Sequence, residues 1–150
     1  MREILFRGKG FYSEEWVEGY LAIGRRETDN AKEYAIIPVD VIFWEYGVSD
    51  LIQVIPETIC QYTGMTDRNG NRIWENDIVK RYNSNGDEWM MSKIVWADHS
   101  LNMGWCIEDI KRLSKYGTRL FNVGFDVNDS GKCEVIGNIF DNHELLEEQI

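Results

Sequence analysis

The sequence predicts a mainly β protein, with two β-rich lobes that include a small SH3-like barrel and a short C-terminal α-helix. Three observations predict it. Apolar residues fall in short runs punctuated by Gly, Asn and Pro. Asn69-Gly70 is the strongest two-residue hairpin signal in the chain, because both central positions of a type I′ turn require positive φ. Helical signals are weak except at the C-terminus.

In chain order, residues 3–7 and 16–23 read as two strands joined through a glycine-bearing turn near Gly8-Lys9-Gly10, with Gly19 marking a bulge and Gly24 an exit turn. Residues 28–33 read as a solvent loop. Residues 34–37 form a third strand ended by Pro38, which has no N–H for a ladder. Residues 39–46 fit strand or helix equally, and 48–55 return to strand before Pro56. Beyond Asn69-Gly70 come a strand at 77–82, a polar turn at 83–87 and a strand at 89–96, which together make a hairpin. Residues 106–113 are a helix candidate, with Ile107, Ile110 and Leu113 at helical spacing. Strands at 120–123 and 134–140 complete the set. In the final helix Asp141 caps the first turn with Glu144 three residues on, and Leu145, Leu146 and Ile150 supply a narrow apolar face.

The chain has 150 residues, 43% hydrophobic and 28% charged. That length buries enough surface to fold without a metal or disulfide. A soft boundary falls between residues 58 and 59, giving lobes 1–58 and 59–150. The balance of charge is −5 on each side, and no repeat or compositional break separates them.

The composition also excludes. Sixteen basic and 26 acidic residues leave a net charge of −10. Such a field repels phosphate backbones, so nucleic acid is a disfavoured partner. The longest apolar runs, such as Val41-Ile42-Phe43-Trp44, are far short of a membrane helix, and the N-terminus carries no secretion signal. A cytoplasmic protein, without a membrane partner, is the expectation. Cys60, Cys106 and Cys133 are odd in number and widely spaced, and neither His99 nor His143 stands at metal-ligand spacing from them. Reduced structural thiols are the plain reading and a zinc site the alternative. No cofactor is expected.

The run from Ile59 to Val79 has a physical logic of its own. A strand enters through Gln61-Tyr62-Thr63, and Gly64 permits a change of direction. Asp67 can bond back to the turn that Asn69-Gly70 completes, and Glu75-Asn76-Asp77 makes a polar corner before the next strand. This run resembles the signature of the YopX family, close to Gln-Tyr-Thr-Gly-Leu-x-Asp-x-Asn-Gly-x-x-Ile-Tyr-Glu-Gly-Asp-Ile-Val. It matches at Gln61, Tyr62, Thr63, Gly64, Asp67, Asn69, Gly70, Ile73, Glu75, Asp77, Ile78 and Val79, and departs at Met65, Trp74 and Asn76. Asn76 stands where the family usually has glycine. Asn also tolerates positive φ, so the turn is expected to be preserved. A second match covers 136–146 and includes Gly137, Asn138, Asp141 and Asn142; His143 replaces the family's proline there. Residues 2–9, 16–20 and 37–58 fit the family outline too. The resemblance implies a mainly β protein encoded in phages and prophages, and implies no biochemical activity.

Asp67, Glu75 and Asp77 are the candidate carboxylate cluster. Convergence in a pocket would suit a metal-dependent hydrolase; the plainer reading is that they satisfy backbone donors in turns. Asp98-His99-Ser100 lacks the elbow of a nucleophilic triad, and no phosphate or dinucleotide loop is present. No catalytic or metal-ligating residue is therefore assigned. Lys80, Arg81 and Lys93 lie on one expected hairpin. Lys111, Arg112, Lys115 and Arg119 form a local basic cluster, read either as a solvated face or as a binding patch. The sequence thus points to a non-enzymatic phage or prophage accessory protein acting through protein contacts, with self-association as one way to cover edge strands. The alternatives are a nucleic-acid-associated module using the 111–119 cluster and a hydrolase using Asp67, Glu75 and Asp77.

Overall fold

In the computed structural model, residues 3–39, 43–44, 47–48, 50–99, 102–115 and 123–147 are described, with 43, 44, 47, 48, 99 and 102 described by backbone alone. The chain divides into two units, Met1–Tyr62 and Thr63–Ile150. Both are built mainly from antiparallel strands, as the sequence predicts.

The first unit holds β1 (Phe6–Lys9), β2 (Trp16–Arg25), β3 (Lys32–Pro38), β4 (Phe43–Trp44), β5 (Gly47–Val48), β6 (Ile52–Gln53) and the start of β7 (Cys60–Thr66). Its strands lie in the order β6-β3-β2-β1-β7, while β4 and β5 pair only with each other. Gly8 and Lys9 stay in β1, and the turn falls later, where the Glu14 N–H donates to the Gly10 carbonyl at 2.9 Å. Gly19 is not a bulge. It keeps regular register between Phe6 and Pro38, and a Cβ there would collide with the Ile37 carbonyl oxygen. Gly24 also stays in the ladder, opposite Glu33. The loop beyond it is short, because the Arg26 guanidinium ties Asp29 and Glu33 at 3.2 and 2.9 Å. Leu5, Ile36, Val54, Cys60 and Tyr62 are buried in this unit.

The strand expected at 48–55 is broken into β5 and β6. A single bridge joins Val54 to Gly10, and the Ile55 N–H donates to the Lys9 carbonyl at 2.9 Å. The ladder stops there, since Pro56 offers no N–H and opens a 3-10 turn, Pro56–Thr58. Among the described residues no closed barrel forms in either unit, which corrects the expected SH3-like barrel.

The second unit holds the end of β7, β8 (Arg72–Trp74), β9 (Asp77–Tyr82), β10 (Glu88–His99), β11 (Asn102–Arg112), β12 (Val123–Gly124), α1 (Val127–Ser130) and β13 (Cys133–Asn138). β7 pairs with β8, and the other strands form an open sheet in the order β12-β11-β10-β9-β13. The helix candidate at 106–113 is strand instead. Ile107 faces Ile94 and Trp105 faces Trp96 across the β10–β11 ladder, with the two indoles edge to face at 5.0 Å. Cross-strand pairing overrides the helical spacing of Ile107, Ile110 and Leu113. Met65, Ile73, Val79, Ile94, Trp105, Ile107, Phe125 and Cys133 make the core, with Val135 packed against it.

The expected C-terminal α-helix is corrected as well. The described residues show a 3-10 turn, His143–Leu145, whose first residues receive no side-chain cap; residues 148–150, including Glu148 and Ile150, lie outside the description. Asp141 does not cap it, because its Oδ2 accepts from Asn138 Nδ2 at 3.0 Å. The one capping box belongs to α1, where Asp126 Oδ1 accepts from the Asn128 and Asp129 N–H groups at 2.7 and 3.1 Å and Asp129 Oδ2 accepts from the Asp126 N–H. Most of the strand expected at 120–123 lies outside the described residues; Val123 is in β12.

Candidate functional site

Asp67 is the centre of the first motif. It opens the turn Asp67-Arg68-Asn69-Gly70-Asn71, in which the Gly70 N–H donates to the Asp67 carbonyl at 3.0 Å and the Asp67 N–H to the Asn71 carbonyl at 2.8 Å. Gly70 has φ +83°, but Asn69 is not in the left-handed region. The loop is therefore a type I turn followed by a left-handed glycine, rather than the expected type I′. The side chain explains the choice. Asp67 Oδ1 accepts from the Asn69 and Asn71 N–H groups, both at 2.9 Å, and so fixes the first bend without Asn69 turning over.

Asp67 Oδ2 does something longer in range: it accepts from the Val135 N–H at 2.9 Å and from Asn71 Nδ2 at 3.3 Å. The adjacent Arg68 N–H donates to the Cys133 carbonyl at 3.0 Å. Val135 and Cys133 lie on β13, an edge of the sheet, so the turn serves these outward backbone groups as a neighbouring strand would. Burial pushes the Asp67 carboxyl up, but the bonds from the Val135, Asn71 and Asn69 backbone outweigh it and hold the group below its ordinary value.

The same turn occurs a second time. In Asn83-Ser84-Asn85-Gly86-Asp87 the Asn83 Oδ1 accepts from the Asn85 and Asp87 N–H groups, both at 2.9 Å, and Gly86 takes φ +86°. There the remaining amide nitrogen bonds Asp87 at 3.3 Å within the turn.

The other motif residues are also drawn into backbone. Gln61 faces Phe6 across the ladder, and the Tyr62 N–H donates to the Leu5 carbonyl at 2.8 Å. Thr63 is buried; its hydroxyl donates to the Ile73 carbonyl at 2.8 Å and accepts from the Met65 N–H at 3.1 Å, beside Gly64 at φ +84°. Asn76 takes φ +65°, as expected where a glycine is usual. Glu75 precedes it in the turn. Asp77 is buried, and its Oδ2 accepts from the Trp74 N–H at 2.8 Å, closing the corner. In the second motif, Asn138 Oδ1 accepts from the Phe140 and Asp141 N–H groups, both at 3.0 Å, while Asn142 Oδ1 accepts from the Asn138 N–H at 3.2 Å. A Cβ on Gly137 would collide with that Asn142 carbonyl oxygen. The two motifs meet: Asp77 pairs with Asn138 in the β9–β13 ladder, and the Ile139 N–H donates to the Asn76 carbonyl at 3.1 Å. Among the described residues no group of three or more His, Cys, Asp or Glu side chains is placed to share a metal ion.

The basic cluster is not brought to one face. Lys111 and Arg112 are successive residues at the end of β11 and project to opposite sides of it. Lys115 follows the strand, and Arg119 lies outside the described residues. The cations of the neighbouring strands have carboxylate partners: Lys80 with Glu88 at 2.8 Å, Lys93 with Glu108 at 3.1 Å, and Arg81 with Asp109 at 3.0 Å. The last pair is a buried network that the sequence reading did not find. Ser92 donates to Asp109 Oδ1 at 2.6 Å, and the Arg81 guanidinium stacks over Trp89 at 4.7 Å. Its signal was the two-residue spacing of Trp105, Ile107 and Asp109, which share a face only once 106–113 is read as strand. His143 is exposed in its 3-10 turn, and the side chain of His99 and all of Ser100 lie outside the description.

The surface carries shallow concavities. In the second unit a notch of about 250 Å³ opens beside Arg81 and Trp89. In the first unit two depressions of about 290 and 520 Å³ share Leu51 and Gln53 in their walls. Ile23 lines one, Phe11 and Tyr12 line the other, and these aromatic rings meet edge to face at 5.2 Å.

Comparison with solved structures finds the crystal structure of protein EF1440 from Enterococcus faecalis, at a TM-score of 0.57 and 22% identity, covering 98% of this chain and 100% of that one. At that identity the likeness concerns the fold. No curated protein matches the chain. The family model described as YopX protein matches residues 5–147, which takes in both motifs and both units. The chain belongs to the YopX family.

Proposed function

We propose that the chain is a non-enzymatic phage or prophage accessory protein of the host cytoplasm that works through protein contacts and associates with itself. The observation that carries this reading is the apolar strip on the first unit. Ile23, Leu51, Phe11 and Tyr12 are 60, 54, 52 and 87% exposed around two depressions with a shared wall. Large exposed apolar groups gathered together mark contact surfaces. On a chain of net charge −10, such a strip is also where two copies approach with least repulsion. Of the residues that line the two depressions, Glu33 alone is charged, and it pairs with Arg26 at 2.9 Å.

The chemistry of the second unit supports the same reading. The motif carboxylates Asp67 and Asp77 are hydrogen-bonded to backbone, which suits scaffolding better than proton transfer. Lys80, Lys93 and Arg81 are balanced by carboxylates, which weakens any attraction for a phosphate backbone. The phage or prophage setting rests on the family resemblance.

Sedimentation velocity of the full chain across a wide concentration range is the test. A dimer or larger species is expected, converted to monomer by Leu51→Asp with Ile23→Asp at unchanged far-ultraviolet dichroism. A monomer at every concentration removes self-association from the reading.

A further inference from the structure

The notch in the second unit is formed where the core runs out, between the β9–β10 turn and the segment that links α1 to β13. Arg81, Trp89, Ser84, Asp129 and Lys132 are among the residues that line it. Its hydrogen-bonding inventory is unbalanced. Arg81 uses Nη1 for both Asp109 and Ser92, and its side chain is only 11% exposed. Among the described residues its Nε and Nη2 have no partner. Nor, among the described residues, do Lys132 Nζ, the Ser84 hydroxyl or Trp89 Nε1. Four donor groups therefore border a cavity of about 250 Å³ against one carboxylate, Asp129, whose Oδ2 already accepts from the Asp126 N–H at 3.2 Å.

Arg81 is unlike a surface cation. Asp109 and Ser92 hold one end of the guanidinium and Trp89 supports its face, so it is set in place before any ligand arrives. A fixed, planar donor group beside an ammonium and an aromatic ring matches an acceptor-only, planar anion on a short apolar stem. The volume suits a single side chain rather than a nucleotide.

We propose that this notch binds the carboxylate of an Asp or Glu side chain presented by a protein partner, with Arg81 and Lys132 as the anion-holding groups and Trp89 receiving the stem. It rests on the protein-contact reading above and adds the chemistry of the partner. The site shares no residue with the apolar strip, so the two can fail independently.

The test is a two-dimensional NMR titration of the ¹⁵N-labelled full chain. The probes are N-acetyl-glutamate N-methylamide, its neutral glutamine analogue, and inorganic phosphate. Saturable shifts of the Trp89 indole N–H and the Lys132 amide are expected with the glutamate probe and not with the glutamine one. Lys132→Glu should weaken the glutamate probe by roughly fivefold or more, from the worth of an exposed charge pair. Asp129→Asn keeps the acceptor for the Asp126 N–H and removes the opposing charge, so it should tighten binding. Opposite signs from these two variants are something a purely structural role does not produce. The proposal is overturned if the glutamate probe gives no saturable shift, if the glutamine analogue binds equally, if phosphate binds more tightly, or if the two variants move affinity in the same direction. Because the titration reads binding to the chain itself, it stands whether sedimentation returns monomer or dimer.

Discussion

Asp67 and Asn83 occupy equivalent places in two equivalent turns, yet only Asp67 has to be an acid. An amide oxygen suffices to accept from two backbone N–H groups, as Asn83 does. The second oxygen of Asp67 accepts from the Val135 N–H at 2.9 Å. In Asp67→Asn an amide that keeps the turn would aim its own N–H₂ at that donor. The variant should lose about 1–3 kcal/mol of stability, the cost of an unmet buried N–H, measured by urea unfolding. Wild-type stability in that variant would mean the Val135 contact contributes nothing. Cys133 lies under the same turn. Burial, then the nearby Asp67 carboxylate, push its thiol up to about 12, while Cys106 is pushed up by burial alone. The thiolate is the reactive form, so neither should be alkylated by iodoacetamide in the native protein at neutral pH, and both should react once it is unfolded. Rapid labelling of native Cys133 would contradict the packing described.

Among the elements, β9, β10 and β11 share the most demanding interaction, the Arg81–Asp109 pair with Ser92 bonded to both. Arg81→Met should cost about 3–5 kcal/mol, since it leaves a buried carboxylate without its cation. Arg81→Met combined with Asp109→Leu should recover much of that loss, because the apolar pair needs no counter-charge. If the double variant is no more stable than the single, the pair acts by something other than charge compensation. At this scale the sequence was informative wherever chemistry is local. Both Asn-Gly turns were visible because an Asp or Asn three residues ahead of a glycine bends the chain by itself. The positive φ of Asn76 was visible for a similar reason. Residues 106–113 were misread because Ile107, Ile110 and Leu113 fit a helix, and only β10, far away along part of its ladder, makes them strand. The C-terminal acidic segment satisfied a capping pattern, but Asp141 is held by Asn138 instead.

Across the whole chain, the turn and corner of the first motif, from Thr63 on, and the second motif are parts of one assembly within the second unit. The first covers the β13 edge through Asp67 and Arg68, and the second continues from that same strand through Gly137 and Asn138 into its own turn. The motif positions were legible one by one, but the bond from Asp67 to Val135 was not. It spans 68 residues, and no local pattern encodes it. The family signature is accordingly a folding signature, and on the proposed reading recognition is left to surfaces outside it. The most direct measurement of that claim is the unfolding free energy of the chain as a function of pH, for the wild type and Asp67→Asn. A carboxyl held below its ordinary value in the folded state stabilises the protein above about pH 4, the unfolded-state value, and that stability is lost as pH falls through the lower folded value. The account predicts that the wild type loses its advantage over Asp67→Asn as pH falls through this window. A difference between the two that is independent of pH, or one that grows on acidification, would contradict it.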